Sequence, residues 1–192
     1  MQMMRFYILC LFGLFLVCCE GGDKQVFYPI PENAEDIASE SFNVTFIYSD
    51  SAIVTSKLMA PHVIERIDTS KGENAANDHY FNEGLKVVFF NKNQQEIGLL
   101  EADSGLLKQE NGIAEMYRNV VVRNNDTNEM LETEKLFWDQ EKDSIYSDRS
   151  TPVRITTPDK IILGLGLRAN AAFSEYVIHE ITGEIYTEDE EF

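Results

Sequence analysis

Cysteine is absent from nearly the whole chain. The three cysteines are Cys10, Cys18 and Cys19, and none occurs between Cys19 and the last residue, Phe192. A disulfide framework and a thiolate metal site are therefore excluded from everything that follows Cys19. Burial of apolar surface and backbone hydrogen bonds must stabilise that part of the chain, which is long enough for one domain with a substantial core.

Positive charge is also scarce. The 192 residues include 16 lysines and arginines against 33 aspartates and glutamates, for a formal net charge of −17. Such acidity opposes binding to a phosphate backbone and electrostatic docking onto an anionic bilayer. We therefore expect no nucleic-acid partner.

Residue patterns typical of a catalytic centre are missing. The three histidines, His62, His79 and His179, are scattered and do not match an HExxH motif. Asp103–Gly105 and Asp143–Ser144 have the composition of turns rather than of a nucleophile motif. The sequence therefore predicts a protein that is not an enzyme and has no cofactor or metal site.

A hydrophobic run sufficient to span a membrane is lacking as well. The apolar run Phe6–Cys19 is shorter than the about 20 residues that a bilayer-spanning helix needs. Arg5 precedes the run, and the charged and glycine residues Glu20–Asp23 follow it. This order of a cation, a short apolar region and a polar region is typical of a secretory signal. The alternative interpretation is a retained membrane anchor.

The end of the run, Leu16–Cys19, has an aliphatic residue three positions before Cys19. It resembles the lipobox of bacterial lipoproteins, in which the cysteine becomes the lipidated first residue of the mature protein. We therefore expect a signal peptide over residues 1–18 and a lipid anchor, such as palmitate, on Cys19. Cys18 stands where a smaller residue is usual, so its own lipidation is the second option.

The composition then divides the remaining chain. Residues 19–40 carry Gly21-Gly22, Pro29, Pro31 and several acids with little periodicity, which is typical of a tether. A short helical turn near Asn33–Ser39 is an option within this tether. Residues 41–187 form the predicted domain, and residues 188–192 form an acidic, solvated tail.

The domain has the pattern of an all-β protein. Apolar, β-branched and aromatic residues alternate over short stretches separated by turn residues, with one long polar connection at Asp68–Asp78. The predicted strands are Phe42–Tyr48, Ala52–Met59, Leu85–Phe90, Glu96–Ala102, Ile113–Arg123, Met130–Trp138, Ser144–Ser147, Val153–Thr156, Lys160–Leu167 and Glu175–Tyr186.

A weak internal repeat runs through these strands. Its three units each have an apolar residue, a second residue ten positions later and a third two positions beyond: Tyr48, Leu58, Ala60; Phe90, Leu100, Ala102; Val121, Leu131, Thr133. The last two residues of each unit share one sheet face. Each unit therefore predicts a hairpin, and stacked hairpins of this kind form a curved sheet or an open roll. Chance similarity among antiparallel hairpins is the alternative.

A series of short strings also follows in a fixed order: Tyr80–Phe90, Leu100–Asp103, Asn119–Val122, Leu131–Trp138, Ile145–Asp148 and Ile162–Leu167. Each string is short, but their order and spacing together resemble the LptC family, the periplasmic component of the lipopolysaccharide-export machinery, and its OstA-like relatives. The resemblance extends from about Phe42 to Ile185.

The resemblance implies an open antiparallel β-jellyroll of two sheets bent into a V. It also implies that the domain accepts lipopolysaccharide from the permease subunits of an inner-membrane ABC transporter and passes it to a periplasmic LptA-like bridge protein. Better-known members are held by a transmembrane helix, whereas this chain has Cys19. The residues after Cys19 leave the choice of membrane open, and the resemblance implies the periplasmic face of the inner membrane.

An acyl-chain groove in such a roll would use the apolar faces of the strands. The candidates with this pattern are Leu85, Val87, Phe89, Leu100, Ala102, Met116, Val120, Val122, Val153, Ile155 and Ile162. Small residues such as Gly164 and Gly166 would leave room for a ligand. The alternative is that these residues pack a dry core. Lys86, Lys108, Arg118 and Arg123 could contact anionic head groups at the rim, or simply be solvated.

The first and last strands are natural edges, which suit pairing with a strand of another chain. We therefore expect head-to-tail β-augmentation, with one edge toward the transporter and the other toward the bridge protein. The competing function is that of a generic surface or periplasmic lipoprotein whose β-domain binds glycan or protein. That alternative needs an exposed aromatic surface, and Trp138 is the one tryptophan in the chain.

Overall fold

The computed structural model describes residues 37–67 and 77–186, and all regular structure in these two ranges is β-strand. The signal peptide, Cys19, the tether up to residue 36, most of the polar connection and the acidic tail lie outside the described residues. The twelve strands are β1 Ile37–Asp50, β2 Ile53–Ile67, β3 Asn77–Phe81, β4 Leu85–Phe90, β5 Glu96–Ala102, β6 Ser104–Lys108, β7 Ile113–Asn124, β8 Met130–Asp139, β9 Ser144–Tyr146, β10 Pro152–Thr156, β11 Lys160–Asn170 and β12 Tyr176–Tyr186.

All pairings are antiparallel, and the strands fold into two sheets that share their longest members. Sheet A contains, in spatial order, β1, β2, β4, β5, β7, β8, β10, β11 and β12. Sheet B contains β1, β2, β3, β6, β7, β8, β9, β11 and β12. The all-β jellyroll that the sequence predicted is therefore confirmed. Within the described chain, β1 and β12 each pair on one side only, so the roll is open.

The sheets join at a bend, which is clearest in β7. There Arg118 and Asn119 have φ values of 63° and 48°, and the register with β8 shifts between Tyr117 and Val120. The residues before this bulge pair with β6, and those after it pair with β5. The Asn119 side-chain amide donates to the Asp103 carboxylate at 2.7 Å, which holds the bulge against the β5–β6 connection. A bulge of this kind turns a strand from one sheet into the next.

The inner face of sheet A carries a continuous aliphatic row. One residue from each of seven neighbouring strands contributes to it, and each is at most 6% exposed: Leu58, Val87, Leu100, Val122, Leu131, Ile155 and Ile162. Cross-strand neighbours in register pack side by side on one face of a sheet. The predicted hairpin repeat is confirmed here, because its units place Leu58, Leu100 and Leu131 in this single row.

Sheet B covers the row from the other side. The Trp138 ring stands edge-on to the rings of Phe89 and Tyr48, with centroids 5.5 Å and 5.6 Å apart. Opposite the bend, the β11–β12 loop closes the gap. The Asn124 side-chain amide donates to the carbonyls of Ala172 and Phe173 at 3.1 Å and 3.2 Å. We call this line of contact the mouth; it comprises Gly98 and Asn124 on sheet A and Ala172 and Phe173 in the loop.

Each predicted strand is present, but the structure differs at several points. β1 begins at Ile37, inside the range that the sequence predicted as tether, so the option of a helical turn is wrong for Ile37–Ser39. Ala52 lies in the β1–β2 turn with a φ of 64° rather than in a strand.

Two strands were missed altogether. β3 takes in the end of the polar connection, and β6 begins at Ser104, within residues predicted as a turn. Both are short and begin with polar residues. β3 pairs with β2 and β6, and β6 pairs with β3 and β7. Gly105 is required for packing, because a Cβ there would lie 2.7 Å from a methyl of Leu85.

Asn124 should be sensitive to an almost isosteric change. It is 3% exposed, and its carbonyl oxygen already accepts from the backbone amides of Asp126 and Thr127. In Asn124→Asp, a carboxylate oxygen would replace the amide that faces the carbonyls of Ala172 and Phe173. We expect the free energy of unfolding to fall by about 2–3 kcal/mol in urea denaturation at pH 7.

Asn125→Asp is the matched control. It makes the same change of charge one residue away, at an exposed amide that donates to the Glu96 carbonyl at 3.2 Å. We expect it to cost less than about 1 kcal/mol. Equal losses in the two variants would mean that the mouth contact does not contribute to stability.

Candidate functional site

The groove candidates lie together in one core cluster. Met116 comes from the sheet B half of β7, and the others come from the inner face of sheet A. Their exposed fractions run from 0% to 7%. The sequence therefore identified a contiguous inner surface. In the structure, the packing of the two sheets shields this surface from solvent.

Several inner residues were missed by the groove prediction. Leu58 and Leu131 complete the aliphatic row, and the repeat had already signalled them. Phe173 is 0% exposed but lies in the β11–β12 loop with a φ of 54°, so no strand periodicity could have indicated it. Trp138 is 3% exposed and packs inside the roll, so it is not available for an aromatic binding surface on the outside.

The mouth is closed by side chains and a loop. Backbone hydrogen bonds, by contrast, join each strand to its neighbours within the sheets. The buried Trp138 indole N–H has no hydrogen-bond partner in the described part of the chain. Burial raises the pKa of Tyr48, and a hydrogen bond with the Gln140 side chain offsets only part of this rise. Each buried polar group without a partner costs about 1–3 kcal/mol, so separation of the sheets near Trp138 would relieve part of its own cost.

The two glycines expected to leave room for a ligand also leave room for neighbouring segments of the chain. A Cβ on Gly164 would lie 2.5 Å from a methyl of Ile178, which packs there from β12. A Cβ on Gly166 would lie 2.9 Å from the Cα of Arg149. Both glycines thus permit close approach of neighbouring segments, and each also lines a hollow, of about 500 Å³ at Gly164 and about 380 Å³ at Gly166.

Three of the four expected rim cations are paired with carboxylates. Lys86 and Arg123 both contact Glu101, at 3.6 Å and 3.2 Å, and Lys108 binds Glu115. Arg118 lies in the exposed β7 bulge. These cations are spread over the outer faces of the two sheets, so they do not form a single head-group site.

The carboxylates with shifted pKa values also serve local structure. Burial would raise the pKa of Glu115, but hydrogen bonds from Lys108 and Tyr117 outweigh it and the pKa is lowered. Burial, followed by the hydrogen bond to Glu115, raises the pKa of Tyr117 to about 12. Hydrogen bonding to Lys142 lowers the pKa of Asp139. Each of these groups makes a hydrogen bond with a side chain that is close to it in sequence.

The histidines occupy separate surroundings. The His62 ring lies between the carboxylates of Glu40 and Glu83, at 2.7 Å and 3.4 Å, and the His79 ring is 2.9 Å from the Gln109 amide. In the described residues, no three potential ligands among histidines, cysteines and acids converge as a metal site would require. A helix with the length and apolarity of a membrane span is likewise not found in these ranges.

Comparison with known proteins connects this geometry to a family. No curated protein matches the sequence significantly. A family model described as lipopolysaccharide-assembly, LptC-related, matches residues 34–184, which contain nearly all of the described strands. An open antiparallel β-roll of two sheets is also the fold that resemblance to this family implied. The chain belongs to the LptC-related family, whose members are periplasmic envelope components of lipopolysaccharide transport.

Proposed function

We propose that this protein accepts lipopolysaccharide from the inner-membrane ABC transporter and passes it to a periplasmic β-jellyroll bridge. The acyl chains are held between sheet A and sheet B. The observation that carries this proposal is the aliphatic row, which crosses seven strands of a roll that no backbone ladder closes.

Contacts between the two sheets can be replaced by contacts with acyl chains at little cost in free energy. The inner faces of the two sheets cover each other in the empty protein, and burial of apolar surface contributes about 25 cal/mol per Å². When acyl chains enter, they replace one apolar contact with another, so little apolar surface meets water. The cost of opening then falls on the few contacts at the mouth, where Asn124 holds the β11–β12 loop.

Cys19 supplies the attachment to the membrane in this proposal. A single acyl chain gives only marginal anchoring, whereas two or more hold firmly. A multiply acylated Cys19 keeps the roll at the periplasmic face of the inner membrane, in place of a transmembrane helix. The residues between Cys19 and Ile37 limit the reach of the roll to at most about 60 Å.

The two free edges connect the roll to its neighbours. Ile47 on β1 is 60% exposed, and Ile181 and Ile185 on β12 are 57% and 54% exposed. Each edge offers unpaired backbone groups beside exposed apolar side chains, which is the requirement for strand addition. One edge contacts the transporter, and the other contacts the bridge protein.

Locking the mouth should stop transfer. A Cβ on Gly98 would lie 3.6 Å from the Cα of Ala172, close enough for a disulfide between cysteines at these positions. We expect oxidised Gly98→Cys/Ala172→Cys protein to capture no lipopolysaccharide from proteoliposomes that carry the active transporter. Reduction should restore capture, because the lock is reversible and the described chain has no native thiol.

The single variants Gly98→Cys and Ala172→Cys are the controls, and both should capture lipopolysaccharide under oxidising and reducing conditions. Mass spectrometry of the oxidised double variant verifies the bond. Capture at the wild-type rate by the verified disulfide form would contradict entry of lipid between the sheets.

The two edges should act separately. Lysine on an edge strand discourages pairing with another strand. We expect Ile47→Lys on β1 to lose one of the two partners in pull-down assays and Ile181→Lys on β12 to lose the other, each by about tenfold or more. The matched control is Ile53→Lys, the same change at an exposed residue of β2, which pairs with β1 and β4 and is not an edge strand; it should keep both partners. Loss of both partners in either variant, or of neither in both, would refute the head-to-tail arrangement.

A further inference from the structure

Many cations of this acidic protein form ion pairs with carboxylates of the same chain. Carboxylates lie within 4 Å of Lys86, Lys108, Arg123, Lys135, Lys142, Arg154 and Lys160. Arg149 and Arg168, like Arg118, make no ion pair or side-chain hydrogen bond with any described residue. Both line the same hollow.

This hollow lies on the outer face of sheet B, beside β12, and has a volume of about 380 Å³. No aspartate or glutamate lines it. Its lining residues are Tyr146, Ser147, Arg149, Gly166, Leu167, Arg168, Val177 and His179. Positive and apolar groups thus share the hollow without a carboxylate, in a chain with a net charge of −17.

The fold brings the basic side chains together from three segments. The loop after β9 crosses β11 at Gly166, where the Gly166 amide donates to the Thr151 carbonyl at 2.9 Å. Gly166 has a φ of +67°, and a Cβ on it would lie 2.9 Å from the Arg149 Cα and 3.0 Å from the His179 Cβ. Glycine at this one position therefore allows Arg149 and His179 to approach each other over β11, which itself carries Arg168.

The acidic side chain next to Arg149 in sequence is paired with a lysine, which leaves the arginine free to bind a ligand. Asp148, next to Arg149 in sequence, contacts the Lys135 ammonium at 3.2 Å. The Ser147 hydroxyl accepts from the Leu167 amide at 3.0 Å, which fixes the loop on β11. Tyr146 stacks on Phe137 with ring centroids 5.0 Å apart, and this makes one wall of the hollow rigid.

We infer that this hollow binds a phosphate monoester. Guanidinium groups form paired hydrogen bonds with phosphate oxygens, and two arginines match the charge of a dianionic phosphoryl group. The imidazole of His179 offers a further donor. The volume exceeds that of phosphate alone, so the group attached to phosphorus lies against the exposed side chain of Val177. That group belongs either to a glycolipid head group or to a free phosphate ester.

The test uses the full-length protein in detergent micelles and inorganic phosphate as the probe, followed by isothermal titration calorimetry. We expect saturable binding with one site per chain. Arg149→Gln/Arg168→Gln should weaken it about tenfold or more, because two charge-assisted contacts are lost. Arg149→Lys/Arg168→Lys should bind with intermediate affinity, since it keeps the charge but loses the planar fork.

Arg123→Gln is the matched control. It removes one exposed arginine, already paired with Glu101 at 3.2 Å, and should change phosphate affinity less than about twofold. Absence of saturable phosphate binding by the wild type at millimolar concentrations would overturn the inference. So would equal affinities for the wild type and a folded glutamine double variant, with folding checked by circular dichroism.

Two further arms identify the source of the phosphate. Phosphorylated lipid A that displaces inorganic phosphate, while its dephosphorylated form does not, assigns the hollow to a lipid head group. Phosphate binding without such competition assigns it to a soluble ester. The oxidised Gly98→Cys/Ala172→Cys protein should bind phosphate like the wild type, because the hollow lies outside the roll. The inference therefore stands or fails independently of lipid entry at the mouth.

Discussion

The contact between the inner faces of sheet A and sheet B is the interaction on which the rest of the structure depends. Without disulfides after Cys19, the domain relies on that apolar contact and on its strand ladder for stability. The ladder is open, since β1 and β12 each lack a second partner strand in the described chain. The seal opposite the bend is made by the Asn124 side chain and the β11–β12 loop rather than by pairing of strands. Such a seal can break without disrupting any strand.

The sequence predicted the inner surface well because strand periodicity is a local signal. Alternation of apolar and polar residues placed Val87, Leu100 and Val122 on one face, and the structure puts all three in the aliphatic row. The ten-residue repeat predicted the hairpins for the same reason. Family resemblance, confirmed by the match over residues 34–184, supplied the two-sheet arrangement that periodicity alone left open.

What the sequence did not predict depends on contacts between distant residues. Strands β3 and β6 are polar at their starts and depend on partners on both sides. The contact of Asn124 with the loop at Ala172 joins residues 48 positions apart and has no local signature. The close approach of neighbouring segments to Gly164 and Gly166 likewise has no local signature. Arg149 lies in the loop after β9 and Arg168 lies in β11. The crossing of that loop over β11 at Gly166 brings them into one hollow.

The central claim is that lipopolysaccharide lies between the two sheets during transport. The most direct measurement is photo-crosslinking in cells that are actively exporting lipopolysaccharide, with the photoreactive residue at Phe89, which is 3% exposed on the inner face of β4. The matched position is Lys86, exposed on the outer face of the same strand. The account predicts crosslinks to lipopolysaccharide from Phe89 and from Val120, and none from Lys86. Capture from Lys86 alone, or from no inner position during active export, would contradict it.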